Sequence, residues 1–320
     1  MKMILSSILI ITALAVFFIL KSCKKAPELQ NSEGYIQVDG GKIWYEISGE
    51  GNKTPLLLLH GGPGAPSYYL EPMKALGKER KLIFYHQLGC GKSDRITDTS
   101  LMTVKHYVEE LRTLVKHFGI KEFYLYGQSW GAMLAMDYYM KYPKGVKALI
   151  FSSPCLSTPV WLADAAVLIG QLPEEVQESI RINERAKTYA NPDYAQAVQE
   201  FYKHFVARKQ PWSAEIERTF SEMGSNYQYM WGPSEFNATG ELAGYDRTEE
   251  LAGIKIPTLF VCGEFDEATP PSVEFFKSRV PGAQMAVIKG AAHLTMQDEP
   301  EQNNKVISDF LNSLHTKITL

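Results

Sequence analysis

Five consecutive residues, Gly127-Gln128-Ser129-Trp130-Gly131, carry the clearest chemical signal in the sequence. A serine flanked at two removes by glycines fits a sharp strand-to-helix turn, where a strained backbone runs too close to its neighbours to tolerate side chains. A serine hydroxyl is a weak nucleophile at neutral pH, so it requires a base and a group that fixes the tautomer of that base. His293, in Gly290-Ala291-Ala292-His293, supplies the base, and Asp266, in Gly263-Glu264-Phe265-Asp266, the orienting carboxylate; Glu264 and Glu267 are rivals in the same loop. Acyl transfer also needs donors aimed at the developing oxyanion. The amide of Trp130 is one, and the second is expected from the loop His60-Gly61-Gly62-Pro63-Gly64, at Gly62. His60 lies in that same loop and reads as structural. The plain alternatives are a serine that merely caps a helix and a glycine loop that is only a tight turn.

These residues need a scaffold. The runs 34–38 and 42–47 flank Asp39-Gly40-Gly41 and read as an opening hairpin. Leu56 to Leu59 and Leu82 to Tyr85 are short apolar runs, as expected of strands buried on both faces. Val104, Val108, Leu111, Val115 and Phe118 recur at helical spacing before a stop at Gly119. A strand at 123–126, a helix from Ser129 to about Tyr142, and strands at 146–151, 258–262 and 285–288 follow. Strands alternating with helices imply a mostly parallel sheet, expected to be eight-stranded with helices on both faces. Between 154 and 254 the pattern turns helical, so this stretch is expected to be a helical cap inserted into a core formed by 34–153 and 255–320.

With 320 residues, 45% apolar and 12% aromatic, the chain can bury a large core. Its 33 Lys and Arg against 36 Asp and Glu give a net charge of −3 without runs of either sign, which argues against nucleic acid as a partner. Met3 to Leu20 is almost wholly apolar and is followed by Lys21, Cys23, Lys24 and Lys25. Residues 1–23 therefore read as a signal peptide or membrane anchor, with 24–33 as a linker. Leu20-Lys21-Ser22-Cys23 resembles a bacterial lipoprotein cleavage site, with Cys23 as the lipidated residue, although Lys21 stands where a small residue is usual. A location in the bacterial cell envelope, membrane-anchored or exported, is the expectation. Cys90, Cys155 and Cys262 are scattered and suit buried packing rather than a metal site or a disulfide framework.

From about Gly34 onward the chain resembles the proline iminopeptidases, or prolyl aminopeptidases, of the α/β-hydrolase fold. The resemblance rests on His60-Gly61-Gly62-Pro63-Gly64, Gln87-Leu88-Gly89-Cys90-Gly91-Lys92-Ser93, Gly127-Gln128-Ser129-Trp130-Gly131 and Gly263-Glu264-Phe265-Asp266-Glu267. The chain order serine, aspartate, histidine is the one that this fold produces. Met230-Trp231-Gly232-Pro233-Ser234-Glu235-Phe236 is similar to the family segment whose glutamate binds the free α-amino group of the substrate. The resemblance thus implies Glu235 and Glu267 as carboxylates for that ammonium, with Trp231 in the pocket for the proline ring. His86 departs from the pattern, standing where the family usually has aspartate.

The reading that follows is a serine aminopeptidase acting on short peptides with a free N-terminus, through Ser129, His293 and Asp266, without metal or organic cofactor. An esterase, lactonase or amidase for a small molecule keeps the triad but changes the substrate. An inactive surface binding protein is the reading from another class.

Overall fold

The structure, a computed structural model, describes residues 29–316. The apolar run Met3–Leu20, the proposed lipid site Cys23 and residues 24–28 lie outside the described residues. Among the described residues, no helix is long and apolar enough to cross a membrane.

Strands β1 (Ser32–Val38) and β2 (Gly41–Ser48) form the opening antiparallel hairpin. In β1 alternate residues face inward, with Ile36 and Val38 buried and Tyr35 exposed, the pattern of an edge strand with one wet face. Next come β3 (Lys53–Leu59), β4 (Arg80–Tyr85), α1 (Val104–His117), β5 (Phe123–Gln128), α2 (Trp130–Lys141) and β6 (Val146–Ser152). After the insertion the chain forms β7 (Thr258–Gly263). The sheet is completed by β8 (Gln284–Ile288) and has the order β1-β2-β4-β3-β5-β6-β7-β8. β2 runs antiparallel to β1 and β4, and the remaining pairings are parallel. Every residue of β5 and β7 is buried, which explains why these strands are continuous apolar runs rather than alternating ones.

The insertion between β6 and β7 carries α3 (Thr158–Ile169), α4 (Glu174–Ala186), α5 (Pro192–Phe205), α6 (Ala214–Ser221) and α7 (Asn226–Met230). Its α5 contributes Phe201 and Phe205 to the same apolar cluster that contains Leu58, Tyr126 and Ile150 of the sheet. Beyond β7 lie α8 (Pro270–Ser278), α9 (Thr295–Asp298) and α10 (Pro300–Thr316).

Parallel strands end together at one rim of a sheet, and loops leaving that rim are where such folds bind ligands. Here those loops carry His60 to Gly64 after β3, Ser129 after β5, Asp266 and Glu267 after β7, and His293 after β8. The loop after β4 braces them from behind. Glu110, on α1 and fully buried, accepts a hydrogen bond from Leu88 N–H at 3.0 Å. In the same loop His86 Nδ1 accepts from Lys92 N–H at 2.9 Å. Burial holds the His86 ring neutral, with a pKa well below the usual histidine range.

Burial raises the carboxyl of Glu110 to a pKa of about 8. Its folded value lies above its unfolded one, so its contribution is complete below about pH 4.5 and is lost as pH rises through 8. Between pH 6 and 9 the wild-type protein is therefore expected to lose about 1–3 kcal/mol more unfolding free energy than Glu110→Gln. Urea titrations of both proteins at several pH values measure this difference.

Candidate active site

Ser129 sits between the last residue of β5 and the first of α2, with φ 55° and ψ −120°, a conformation that non-glycine residues rarely adopt. The turn is fixed by contact on both sides. A Cβ on Gly127 would fall 2.2 Å from the carbonyl oxygen of Gly131, and one on Gly131 would fall 2.4 Å from that of Leu59. Both glycines are therefore steric necessities, and the serine between them is lifted to the rim of the sheet. Trp130 opens the helix, so its N–H is among the amides at a helix start that lack an intrahelical acceptor.

The loop after β3 passes directly over this turn: an ideal Cβ on Gly61 would meet Ser129 Cβ at 3.2 Å. Gly61 N–H donates to the hydroxyl of Tyr69 at 2.7 Å, and that hydroxyl donates to Gln128 Oε1 at 2.6 Å. The next amide, that of Gly62, belongs to a residue lining the cleft above Ser129. Gln87 ties the loop to the helix start, donating to the His60 carbonyl at 3.1 Å and accepting from the indole of Trp130 at 2.8 Å. His60 is structural. Its Nε2 accepts from Gln87 N–H at 3.0 Å, Nδ1 lies 2.9 Å from the Gly61 carbonyl, and burial lowers its pKa to about 4.

Asp266 and His293 meet as a buried pair, with Nδ1 of the imidazole 2.9 Å from Oδ1 of the carboxylate. The carboxylate is held on both sides, since Oδ1 also accepts from Ala268 N–H at 2.8 Å and Oδ2 from Gly263 N–H at 3.0 Å. Of its sequence rivals, Glu264 instead accepts from Gly290 N–H at 2.9 Å. His293 lines the same cleft as Ser129, and its Nδ1 contact with Asp266 leaves Nε2 as the atom that can serve as base.

That cleft is narrow, with a cavity volume of about 50 Å³, and is lined by Ser129, His293, Gly62, Glu235 and Glu267, with apolar walls that include Val206, Ile216 and Phe220. Glu235 accepts from the hydroxyl of Tyr227 at 2.7 Å. Burial raises its pKa, opposed by that hydrogen bond and by His293. Glu267 is only 2% exposed, and neither carboxylate oxygen has a hydrogen-bond partner among the described residues. Burial, then the charges of Glu235 and Asp266, push its pKa well above the usual carboxylate range.

The structure brings together five of the expected residues in one cleft, and it places Trp231 elsewhere. Trp231 is buried one layer back, its ring 5.9 Å from that of Trp161 and its indole N–H donating to the Ser234 carbonyl. The tryptophan that reaches the site is Trp161 on α3, whose ring lies edge-on to His293 at 5.5 Å and whose indole N–H donates to the Glu235 carbonyl at 2.9 Å. Cys90, Cys155 and Cys262 are free and buried.

Gly131→Ala is expected to cost about 1–3 kcal/mol, because the atoms its methyl would strike are backbone. Gly244→Ala, where a Cβ meets nothing within 4 Å, is the control and is expected to leave the thermal midpoint in place. Calorimetry of the two variants checks the contrast.

A family model for the α/β-hydrolase fold matches residues 54–300. Proline iminopeptidase of Heyndrickxia coagulans is 43% identical over 286 residues, spanning 88% of this chain and 99% of its own. That of Thermoplasma volcanium is 34% identical over 284 residues, spanning 87% and 96%. The crystal structure of proline iminopeptidase from Mycobacterium smegmatis superimposes with a TM-score of 0.84 at 30% identity, covering 90% of this chain and all of that one (100%). Sequence, fold and the matched motifs agree: the chain belongs to the proline iminopeptidase family of α/β hydrolases.

Proposed function

We propose that this chain is a serine aminopeptidase that releases N-terminal proline, or another small residue, from short peptides. The observation that carries this reading is that Ser129, His293, Glu235 and Glu267 line one cleft. A serine and histidine alone would suit many esters and amides, whereas two buried carboxylates beside them call for a cation.

In this reading the ammonium of the substrate sits between Glu235 and Glu267, which places the first carbonyl over Ser129. The hydroxyl attacks as its proton passes to Nε2 of His293, and Asp266 holds the ring and stabilises the imidazolium. The amides of Gly62 and Trp130 receive the oxyanion. Protonated His293 then gives its proton to the departing amine, and water, activated by the same histidine, hydrolyses the acyl-enzyme. The apolar walls of the cleft suit the proline ring, and no step requires a metal or organic cofactor.

We place the enzyme in the cell envelope, anchored or exported through residues 1–23. What supports this is the composition of that segment, with its apolar run, flanking lysines and Cys23.

Proline β-naphthylamide is expected to be cleaved and its N-acetylated form to resist, with all activity lost in Ser129→Ala. Equal cleavage of the acetylated amide would contradict the reading. Glu235→Gln is expected to lower kcat/KM for the free amine roughly 10- to 100-fold, the range for one charged hydrogen bond. Because both glutamates have raised pKa values, KM for the amine is expected to climb as pH falls and the pair takes up protons. Incorporation of radioactive palmitate that disappears in Cys23→Ala would support lipid anchoring; equal labelling of both would refute it.

A further inference from the structure

We infer that Glu267 also restrains the base: in the free enzyme a proton lies between Glu267 and Nε2 of His293, and the incoming substrate ammonium displaces it. This rests on the amino-binding role proposed above and adds a step to it.

The geometry narrows the choices. Nδ1 of His293 is committed to Asp266 at 2.9 Å, so catalysis depends on the lone pair at Nε2. The carboxylate recorded against Nε2 is that of Glu267, with Oε1 at 3.7 Å, so an approach of about 0.7 Å brings the two to hydrogen-bond length. The main chain on both sides is pinned, since Glu267 N–H and His293 N–H donate to the same carbonyl, that of Phe205, at 3.3 and 3.2 Å. Glu267 is buried, lacks a hydrogen-bond partner for either oxygen among the described residues, and lies near a single recorded basic group, the imidazole of His293.

A carboxylate so placed has two ways to lower its energy: it takes a proton and donates it to Nε2, or it stays ionised and pairs with an imidazolium. Both put one proton between Oε1 and Nε2, and both engage the lone pair that must accept from Ser129. The other titratable groups that interact with Glu267, namely Asp266, Glu235, Tyr227, Tyr202 and Cys155, offer it no positive charge. A substrate ammonium does. Once it donates to Glu267, the carboxylate needs no proton, and an imidazolium beside a second cation is disfavoured. The shared proton leaves to water, one per amine bound, and Nε2 is free to accept from Ser129. No bond to carbon changes in this step.

The consequence is selection at the chemical step. An acyl compound without an amino group can reach Ser129 yet meets a base that is already engaged, so a blocked N-terminus is penalised in rate as well as in binding.

The test uses the full chain and p-nitrophenyl acetate, a neutral ester without an amine, with and without pyrrolidine hydrochloride. Pyrrolidinium carries the ring and cation of proline but no carbonyl. The wild type is expected to hydrolyse the ester slowly and to be accelerated several-fold by millimolar pyrrolidinium. Glu267→Met, which removes the carboxylate at similar volume, is expected to turn over the ester about tenfold faster without amine and to ignore pyrrolidinium. If pyrrolidinium inhibits the wild type or leaves its rate unchanged, the inference is overturned without recourse to any variant. A Glu267→Met protein no faster than wild type on the ester overturns it as well. Failure of the wild type to cleave proline β-naphthylamide would instead remove the amino-binding reading beneath it.

Discussion

A single backbone carbonyl, that of Phe205 at the end of α5, accepts hydrogen bonds from Glu267 N–H and from His293 N–H. It belongs to the inserted helices, while both donors belong to loops at the rim of the sheet. The next residue continues the seam, since the Val206 carbonyl accepts from Leu294 N–H at 2.8 Å. Asp298 closes it, accepting from Ala292 N–H at 2.8 Å with one oxygen and from Arg208 and Lys209 N–H at 2.9 Å each with the other. The insertion also reaches the loop after β3, where Gly224 N–H donates to the Gly64 carbonyl at 2.9 Å. The positions of His293, of the glycine loop after β3 and of Glu267, to which the proposal gives the roles of base, oxyanion site and amine-binding carboxylate, therefore depend on the same docking of helices onto sheet.

That docking has an electrostatic consequence. It closes Asp266, Glu235 and Glu267 into a small apolar space that contains one imidazole. Asp266 is compensated by two backbone amides and the histidine, and Glu235 by a tyrosine hydroxyl. Glu267 has no such donor among the described residues, so in the proposed cycle its burial is balanced by the proton shared with His293 until the substrate cation replaces it. Substrate recognition in such a site is the completion of an unfinished charge balance, and the same imbalance bears on the base of the reaction.

Much of this was legible in the residues. The strands appear as short apolar runs because parallel strands are buried on both faces, and they differ from expectation only at their ends, as at β3, which begins at Lys53 rather than Leu56. Ser129, Asp266 and His293 could be singled out because chemistry restricts which residue types suit the proposed roles and sterics demand glycines around the first. The structure joins Asp266 to His293 and puts His293 and Ser129 on one cleft. The seam at Phe205 left no such mark, since a carbonyl acceptor is the same in every residue. Trp161 and Trp231 could not be told apart for a related reason: both are aromatic residues in helical surroundings, and which one meets His293 depends on how α3 packs. Motif position favoured Trp231, and packing placed Trp161 against the imidazole. At His86, which departs from the family type, the ring is held inside the loop by a hydrogen bond that Nδ1 accepts from Lys92 N–H.

The most direct test of the central claim is a crystal structure of Ser129→Ala with a prolyl dipeptide bound. The account predicts the proline nitrogen within about 3.2 Å of a carboxylate oxygen from both Glu235 and Glu267, with the first carbonyl directed toward the amides of Gly62 and Trp130. A dipeptide bound with its amino end turned to solvent, away from both glutamates, would contradict it.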